Sequence, residues 1–233
     1  METENLSLVL QDLKQSLEDH EGELVYWGEA MVPSSSSAPL RELRDEKIGD
    51  CHLCALGDTR VKLVFGVGNP TASVMFVGEG PGYDEDRRGE PFVGKAGQLL
   101  DKILSAIGLD RTKVYIANMV KCHPMKDATQ PEMHGNDRPP TPEEMDKCRP
   151  FLMEQIRIIN PKIIVTLGGT ATKGLLNSTE GITALRGRLF DFQVSESSPV
   201  IKILPTFHPA ALLRDESLKK FVWEDMKLLR SLI

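Results

Sequence analysis

The residues whose chemistry is most constrained by spacing are the four cysteines. Cys51 and Cys54 form a C-x-x-C pair, and Cys122 and Cys148 complete a set with none left over. A C-x-x-C turn presents two thiolates on one side of a tetrahedral site, and structural zinc and iron-sulfur clusters both use four such ligands. Spacing alone leaves both open. A second chemical signal is the glycine- and carboxylate-rich stretch from Gly78 to Lys95. Gly78, Gly80 and Gly82 follow an apolar run, as in a dinucleotide fingerprint. Pro81 and the charged run 84–88 nevertheless prevent a helix from starting at once, so a pyrophosphate would have no helix terminus to sit on. Gly89 to Lys95 has the G-x-x-x-x-G-K spacing of a nucleotide P-loop, yet Ala96 stands where a Ser or Thr hydroxyl should reach magnesium.

These groups need elements to position them. Apolar runs at 73–77, 113–117, 162–167 and 200–204 read as strands. Helical patterns lie at 95–107, 142–159, 170–176 and 215–232. This alternation predicts an α/β fold, a three-layer α/β/α sandwich with a mostly parallel central sheet. Thr141-Pro-Glu-Glu144 starts the long helix with a cap, a first-turn proline and a capping-box glutamate, and Pro150 is expected to bend it. A strand that delivers a polar loop and then a helix, as residues 73–104 do, is how such a sheet presents a site at its carboxyl edge.

Two domains are expected: residues 1–39, an acidic helix over 5–19 followed by a Pro/Ser linker, and residues 40–233, the α/β body. The first segment reads as an appendage that docks on the body or on a protein partner. The net charge of −6 is unevenly held, because residues 1–50 carry 12 acids and 4 bases. The remainder is therefore close to neutral, and a near-neutral body can bind phosphates where its basic groups share one face. Apolar content of 40% is ordinary and names no function. No apolar run approaches the length of a membrane span, and the start lacks a basic signal-peptide region, so a cytoplasmic protein with no membrane partner is expected. In a reducing compartment four cysteines serve as ligands rather than disulfides.

Gly78-Glu-Gly-Pro-Gly, then Asp84-Glu-Asp, then Gly89-Glu-Pro-Phe-Val-Gly-Lys-Ala-Gly-Gln-Leu-Leu-Asp resembles the first motif of the family 4 uracil-DNA glycosylases, the iron-sulfur branch of that superfamily. Thr206-Phe-His-Pro-Ala-Ala-Leu-Leu-Arg214 resembles the superfamily's second motif, and the likeness covers about residues 48–231. The resemblance implies a 4Fe-4S cluster on Cys51, Cys54, Cys122 and Cys148, serving as a staple because glycosidic hydrolysis moves no electrons. The interval from Cys122 to Cys148 is longer than the family pattern, with an added stretch at His134. His52 and His123, beside the ligands, read as surface histidines.

The same resemblance implies the site. Asn118 is the uracil reader, accepting from N3–H and donating to O4. Phe92 is the aromatic on which the base stacks. His208 donates to O2 as negative charge grows there. In better-known uracil glycosylases an Asp of the first motif positions the water; Gly80 holds that place here. Glu85 is expected near the water and sugar cation, and Glu79 as pocket support. Tyr83 stands at the pocket where an acidic residue is usual. Gly168 and Thr170 would receive a DNA phosphate at a strand-to-helix turn, and Arg186 would face DNA. Leu212, Leu213 and Arg214 would enter the gap left by the flipped base. The implied function is excision of uracil from single- or double-stranded DNA by a nucleoid-associated monomer. The rival is a non-catalytic nucleic-acid-binding module of the same fold, associated with replication machinery.

Overall fold

The protein is seen here in a computed structural model that describes residues 37–233. The helix expected over 5–19 and residues 33–36 of the linker lie outside the described residues. The apolar runs form one sheet of six strands: β1 Val67–Gly68, β2 Val74–Gly78, β3 Tyr115–Asn118, β4 Ile163–Leu167, β5 Phe190–Phe192 and β6 Ile201–Thr206. Their spatial order is β1-β3-β2-β4-β6-β5. The four inner strands are parallel and are the four that the sequence predicts. The outer two pair antiparallel. They escape a sequence reading because two or three residues are too few to show a period.

The helices among the described residues are α1 Ala38–Glu42, which continues as a π-helical segment Leu43–Ile48, then α2 Leu56–Thr59, α3 Tyr83–Arg88, α4 Lys95–Ala106, α5 Pro142–Ile159, α6 Gly169–Leu176, α7 Ile182–Leu185, α8 Pro209–Arg214 and α9 Lys219–Leu232. Alternate strand residues point to opposite faces, so each inner strand feeds two cores. Met75, Val77, Ala117, Ile164 and Ile203 pack with Leu40 of α1, Leu152 and Ile156 of α5 and Leu175 of α6. Val74, Phe76, Ile116, Val165 and Leu204 pack with Leu100 and Leu104 of α4, Leu212 of α8 and Met226 of α9. These are the three layers the alternation predicts. Burial on both faces explains why β2, β3 and β4 are apolar apart from Thr166 within β4 and Asn118 at the end of β3.

Helix α5 starts as its sequence requires. Thr141 Oγ1 accepts from the Glu144 amide at 3.2 Å, Glu144 Oε2 accepts from the Thr141 amide at 2.7 Å, and Arg138 pairs with Glu144 at 2.6 Å. The helix continues through Pro150 to Ile159. The helix predicted over 215–232 is preceded by α8 and a 3₁₀ turn at Glu216–Leu218, because Asp215 adopts an extended backbone between them.

Two expected DNA contacts are instead internal. Leu212 is 2% exposed and belongs to the core under α8, so it is not available to enter a duplex. Arg186 is bound to the Asp225 carboxylate and donates to the Phe221 carbonyl at 2.6 Å, with its guanidinium 5.0 Å from the Phe221 ring centroid. Asp225 is itself buried and accepts from Thr206 Oγ1 at 2.6 Å. A buried carboxylate needs a paired cation, and Arg186 fills that need rather than facing solvent. No helix among the described residues is long and apolar enough to cross a membrane.

Candidate active site

Parallel strands end on the same edge, and here that edge collects polar groups from four chain segments. The register pairs Gly78 with Asn118 and Leu167 with Thr206, so the loops after β2, β3, β4 and β6 start side by side. Asn118 is 1% exposed, and its Oδ1 is buried with no hydrogen-bond partner. An acceptor left in that state costs about 1–3 kcal/mol, and among the described residues Ser37 Oγ, His123 Nδ1 and Gln155 Oε1 share it. Gly78 makes room for Asn118. A Cβ there would lie 2.4 Å from Asn118 Oδ1 and 2.5 Å from the Phe92 ring.

Phe92 is held in the left-handed region with φ 56°. That conformation strains a bulky side chain by about 1–3 kcal/mol and persists only where neighbours impose it. Its ring centroid lies 5.5 Å from that of His208. His208 caps α8 through its side chain, Nδ1 accepting from the Ala210 amide at 3.1 Å. With Nδ1 an acceptor, the proton of the neutral ring sits on Nε2, which makes that nitrogen a donor. Burial, with Arg214 acting in the same direction and Glu85 against it, lowers the His208 pKa to about 4. The ring is therefore a neutral donor near pH 7.

The two first-motif carboxylates differ in their hydrogen bonds. Glu85 Oε1 accepts from the amides of Val93 at 2.8 Å and Gly94 at 3.0 Å, and Oε2 accepts from the Gly82 amide at 3.1 Å. Three backbone donors make Glu85 the brace of the loop, tying the start of α3 to the segment after Phe92. Glu79, half-buried beside Gly78, has a carboxylate engaged by no hydrogen bond among the described residues. Gly80 packs close to Val120 and Pro124. Tyr83 is taken up elsewhere, its ring centroid 3.7 Å from that of His134, with the Arg87 guanidinium 3.6 Å from the Tyr83 centroid. The inserted stretch thus folds back on α3. His123 helps to hold it there and is fully buried, not a surface residue: its Nε2 lies 2.6 Å from Asp137, and its Nδ1 lies 3.9 Å from the buried Asp86. His52 is exposed, as expected.

Of the expected DNA-facing groups, Leu213 is 49% exposed and Arg214 is exposed at the end of α8. Gly168 and Thr170 lie half-buried at the start of α6, on the same sheet edge.

Cys51, Cys54, Cys122 and Cys148 line one small open cavity, together with Ile48, Leu63 and Lys121. All four are free thiols. Among the described residues no three His, Cys, Asp or Glu side chains converge tightly enough to hold a single ion. Four thiols around one cavity are a donor set that structural zinc and iron-sulfur clusters both use. Burial pushes the Cys122 thiol up to about 12 and raises Cys148, so a bound cation would have to displace their protons. Lys121 joins the two sites. Fully buried, it donates from Nζ to the Asn118 carbonyl at 2.8 Å, and Arg60 lies 3.6 Å from Cys122 Sγ on the other side. Lys121 acts on the Asn118 carbonyl and Arg111 on the Pro91 and Phe92 carbonyls, and bonds from a side chain to a backbone carbonyl leave no mark in residue type or spacing.

The sheet edge joins a glycine-walled Asn, a strained Phe and a neutral His, and residues 65–227 match the model of the uracil DNA glycosylase superfamily. The particular branch follows from its relatives. The chain is 42% identical over 197 residues to the type-4 uracil-DNA glycosylase of Thermotoga maritima, covering 83% of this chain and 95% of that protein. It is 41% identical to that of Sulfurisphaera tokodaii, over 83% of this chain and 84% of the relative, and 40% identical to that of Archaeoglobus fulgidus, over 78% and 87%. The chain belongs to the type-4 uracil-DNA glycosylases.

The His208 geometry predicts a pH profile. Its folded-state pKa lies below the ordinary 6.5, so the unfolded chain takes up the proton first as pH falls. The stability this ring contributes is complete above about 6.5 and is lost progressively toward pH 4. An NMR titration of the His208 ring should show a midpoint near 4, with no inflection in activity from this group between pH 8 and 5. A midpoint near 6.5 would mean that the ring is not enclosed as described.

Proposed function

We propose that the protein is a monofunctional uracil-DNA glycosylase of base excision repair, which takes a deoxyuridine flipped out of DNA and hydrolyses its N-glycosidic bond to leave an abasic site. The observation that carries this reading is the unpartnered, buried Oδ1 of Asn118 beside the Phe92 ring. Uracil N3–H satisfies that acceptor, while the Asn118 amide N–H donates to O4. Cytosine offers an acceptor and a donor in the opposite order and would leave both sides unpaired. Phe92 provides the face on which the extruded ring stacks.

As the C1′–N1 bond breaks, its electron pair leaves with the base, and negative charge collects largely at O2. The neutral Nε2–H of His208 donates there, a bond that strengthens as charge develops. One such donor is typically worth about 2.7–4 kcal/mol of barrier. A neutral donor with a depressed pKa gives up its proton less readily than a free imidazolium, so it stabilises the anion without being consumed. Water supplies the oxygen that joins C1′. Glu79, whose carboxylate has no hydrogen bond among the described residues, orients that water and accepts its proton, while Glu85 keeps the loop in shape. Leu213 and Arg214 at the end of α8, with Gly168 and Thr170 at the start of α6, form the surface for uracil-containing DNA. Cys51, Cys54, Cys122 and Cys148 hold a 4Fe-4S cluster, as type-4 enzymes typically do. When bound it staples the segment before α2, the loop after β3 and helix α5 together.

Asn118→Asp changes which atoms the pocket can read while barely changing its shape. Excision from a uracil-containing oligonucleotide should fall steeply, with weak new release of cytosine, strongest at mildly acidic pH where the carboxyl can donate to N3. Sites that read hydrogen bonds discriminate by about 10⁴–10⁵, so a small cytosine activity would be measurable against the parent. Wild-type uracil excision in this variant would remove Asn118 from base reading.

Comparison of Glu79→Gln with Glu85→Gln separates the two carboxylates. The first should lower single-turnover excision by roughly 10²-fold or more at unchanged thermal stability, the size of a lost general base. The second should lower the melting temperature. The reverse pattern would return the water to Glu85.

Purified under anaerobic conditions, the protein should be brown and carry about four irons per chain. A colourless protein with one zinc per chain would replace the cluster with a mononuclear staple.

A further inference from the structure

We propose that Arg111 is a positioning residue for base binding: it holds the Phe92 turn in the strained conformation that presents the ring to uracil. The inference rests on the stacking role of Phe92 given above. Among the described residues, only three non-glycine positions have positive φ, and the other two are Asn160 and Asn177, a residue type that tolerates this region. Phe92 has no such intrinsic tolerance, so its surroundings must impose the conformation.

They do so from three sides. Arg111 Nη1 donates to the Pro91 carbonyl at 3.0 Å, and Nη2 donates to the Phe92 carbonyl. The third edge of the guanidinium is fixed by Asp101, which accepts from Nε at 2.7 Å from within α4. On the far side of the same peptide, Glu85 takes the amides of Val93 and Gly94. The carbonyl of Phe92 is thus held by a cation and the following amide by an anion. Below, Gly97 of α4 lets the turn sit against the helix, since a Cβ there would lie 1.7 Å from the Phe92 oxygen. Only a planar fork can span two successive carbonyls while a carboxylate orients it, so lysine is not an equivalent. Arg111 lies in the connection between α4 and β3 and reaches the pocket only through the Phe92 backbone. Its effect should therefore appear in binding of the base ring and not in the chemistry of the leaving group.

The experiment is a double-mutant cycle on the full chain, with Arg111→Met, Phe92→Leu and the double variant, and Arg111→Lys as a milder change should Arg111→Met fold poorly. Steady-state kcat and KM on an oligonucleotide with a single uracil are measured together with the inhibition constant of free uracil and the melting temperature. Arg111→Met should raise the free-uracil inhibition constant roughly tenfold, within the range of a lost base–aromatic stack, and raise KM more than it lowers kcat. Arg111→Lys should show the same change at smaller size. The double variant should be no worse than Phe92→Leu alone, because both changes remove one interaction. If Phe92→Leu weakens uracil binding while both Arg111 variants leave it at the wild-type value, or if the two losses multiply, the positioning role is overturned and the stacking reading survives. If Phe92→Leu itself changes neither uracil inhibition nor KM, the stacking reading fails, and the role of Arg111 fails with it.

Discussion

The site depends on the close approach of three chain segments over a residue with no side chain. Gly78 ends β2, pairs in register with Asn118 at the end of β3, and lies under the ring of Phe92. A single methyl group at Gly78 would displace either the Asn118 amide or the Phe92 ring, and neither has room to move beside a sheet buried on both faces. The parallel pairing of β2 and β3 therefore does more than build the sheet. It sets, to within a residue, where the Asn118 side chain lies.

Around that contact the titratable groups are held in different ways. Glu85 accepts from three backbone amides, and His208 is kept uncharged by burial and by Arg214. Glu79, next to Gly78, has no hydrogen bond to its carboxylate among the described residues.

The cysteine cavity stands behind this floor, and Lys121 is the link between them. Its buried ammonium donates to the Asn118 carbonyl, while the nearby thiols of Cys148 and Cys122 oppose the lowering of its pKa to about 8 by burial. Thiolates in that cavity would supply the negative charge that a buried lysine requires. Lys121 thus touches both the cysteine cavity and the backbone of Asn118. The inserted stretch is tied in separately, through His123 and Asp137 on one side and Tyr83 and His134 on the other.

How much of this the sequence by itself determined follows from which signals are local. The four inner strands, α4 and α5 were legible because apolar periodicity and capping residues act within a few positions. The four cysteines, Asn118, Phe92 and His208 were legible because each sits in a contiguous motif, and the structure brings Asn118, Phe92 and His208 to one sheet edge. What only the tertiary structure decided is which partner each remaining group finds. Glu79 and Glu85 are indistinguishable as carboxylates of one loop until three amides are seen to claim Glu85. Leu212 and Leu213 are adjacent and alike in sequence, yet helix α8 turns the first into the core and the second to solvent. Arg186 reads as a surface base until Asp225, 39 residues away, is found buried against it. Hydrogen bonds and ion pairs between segments distant in the chain leave no periodic trace, so they are settled by packing.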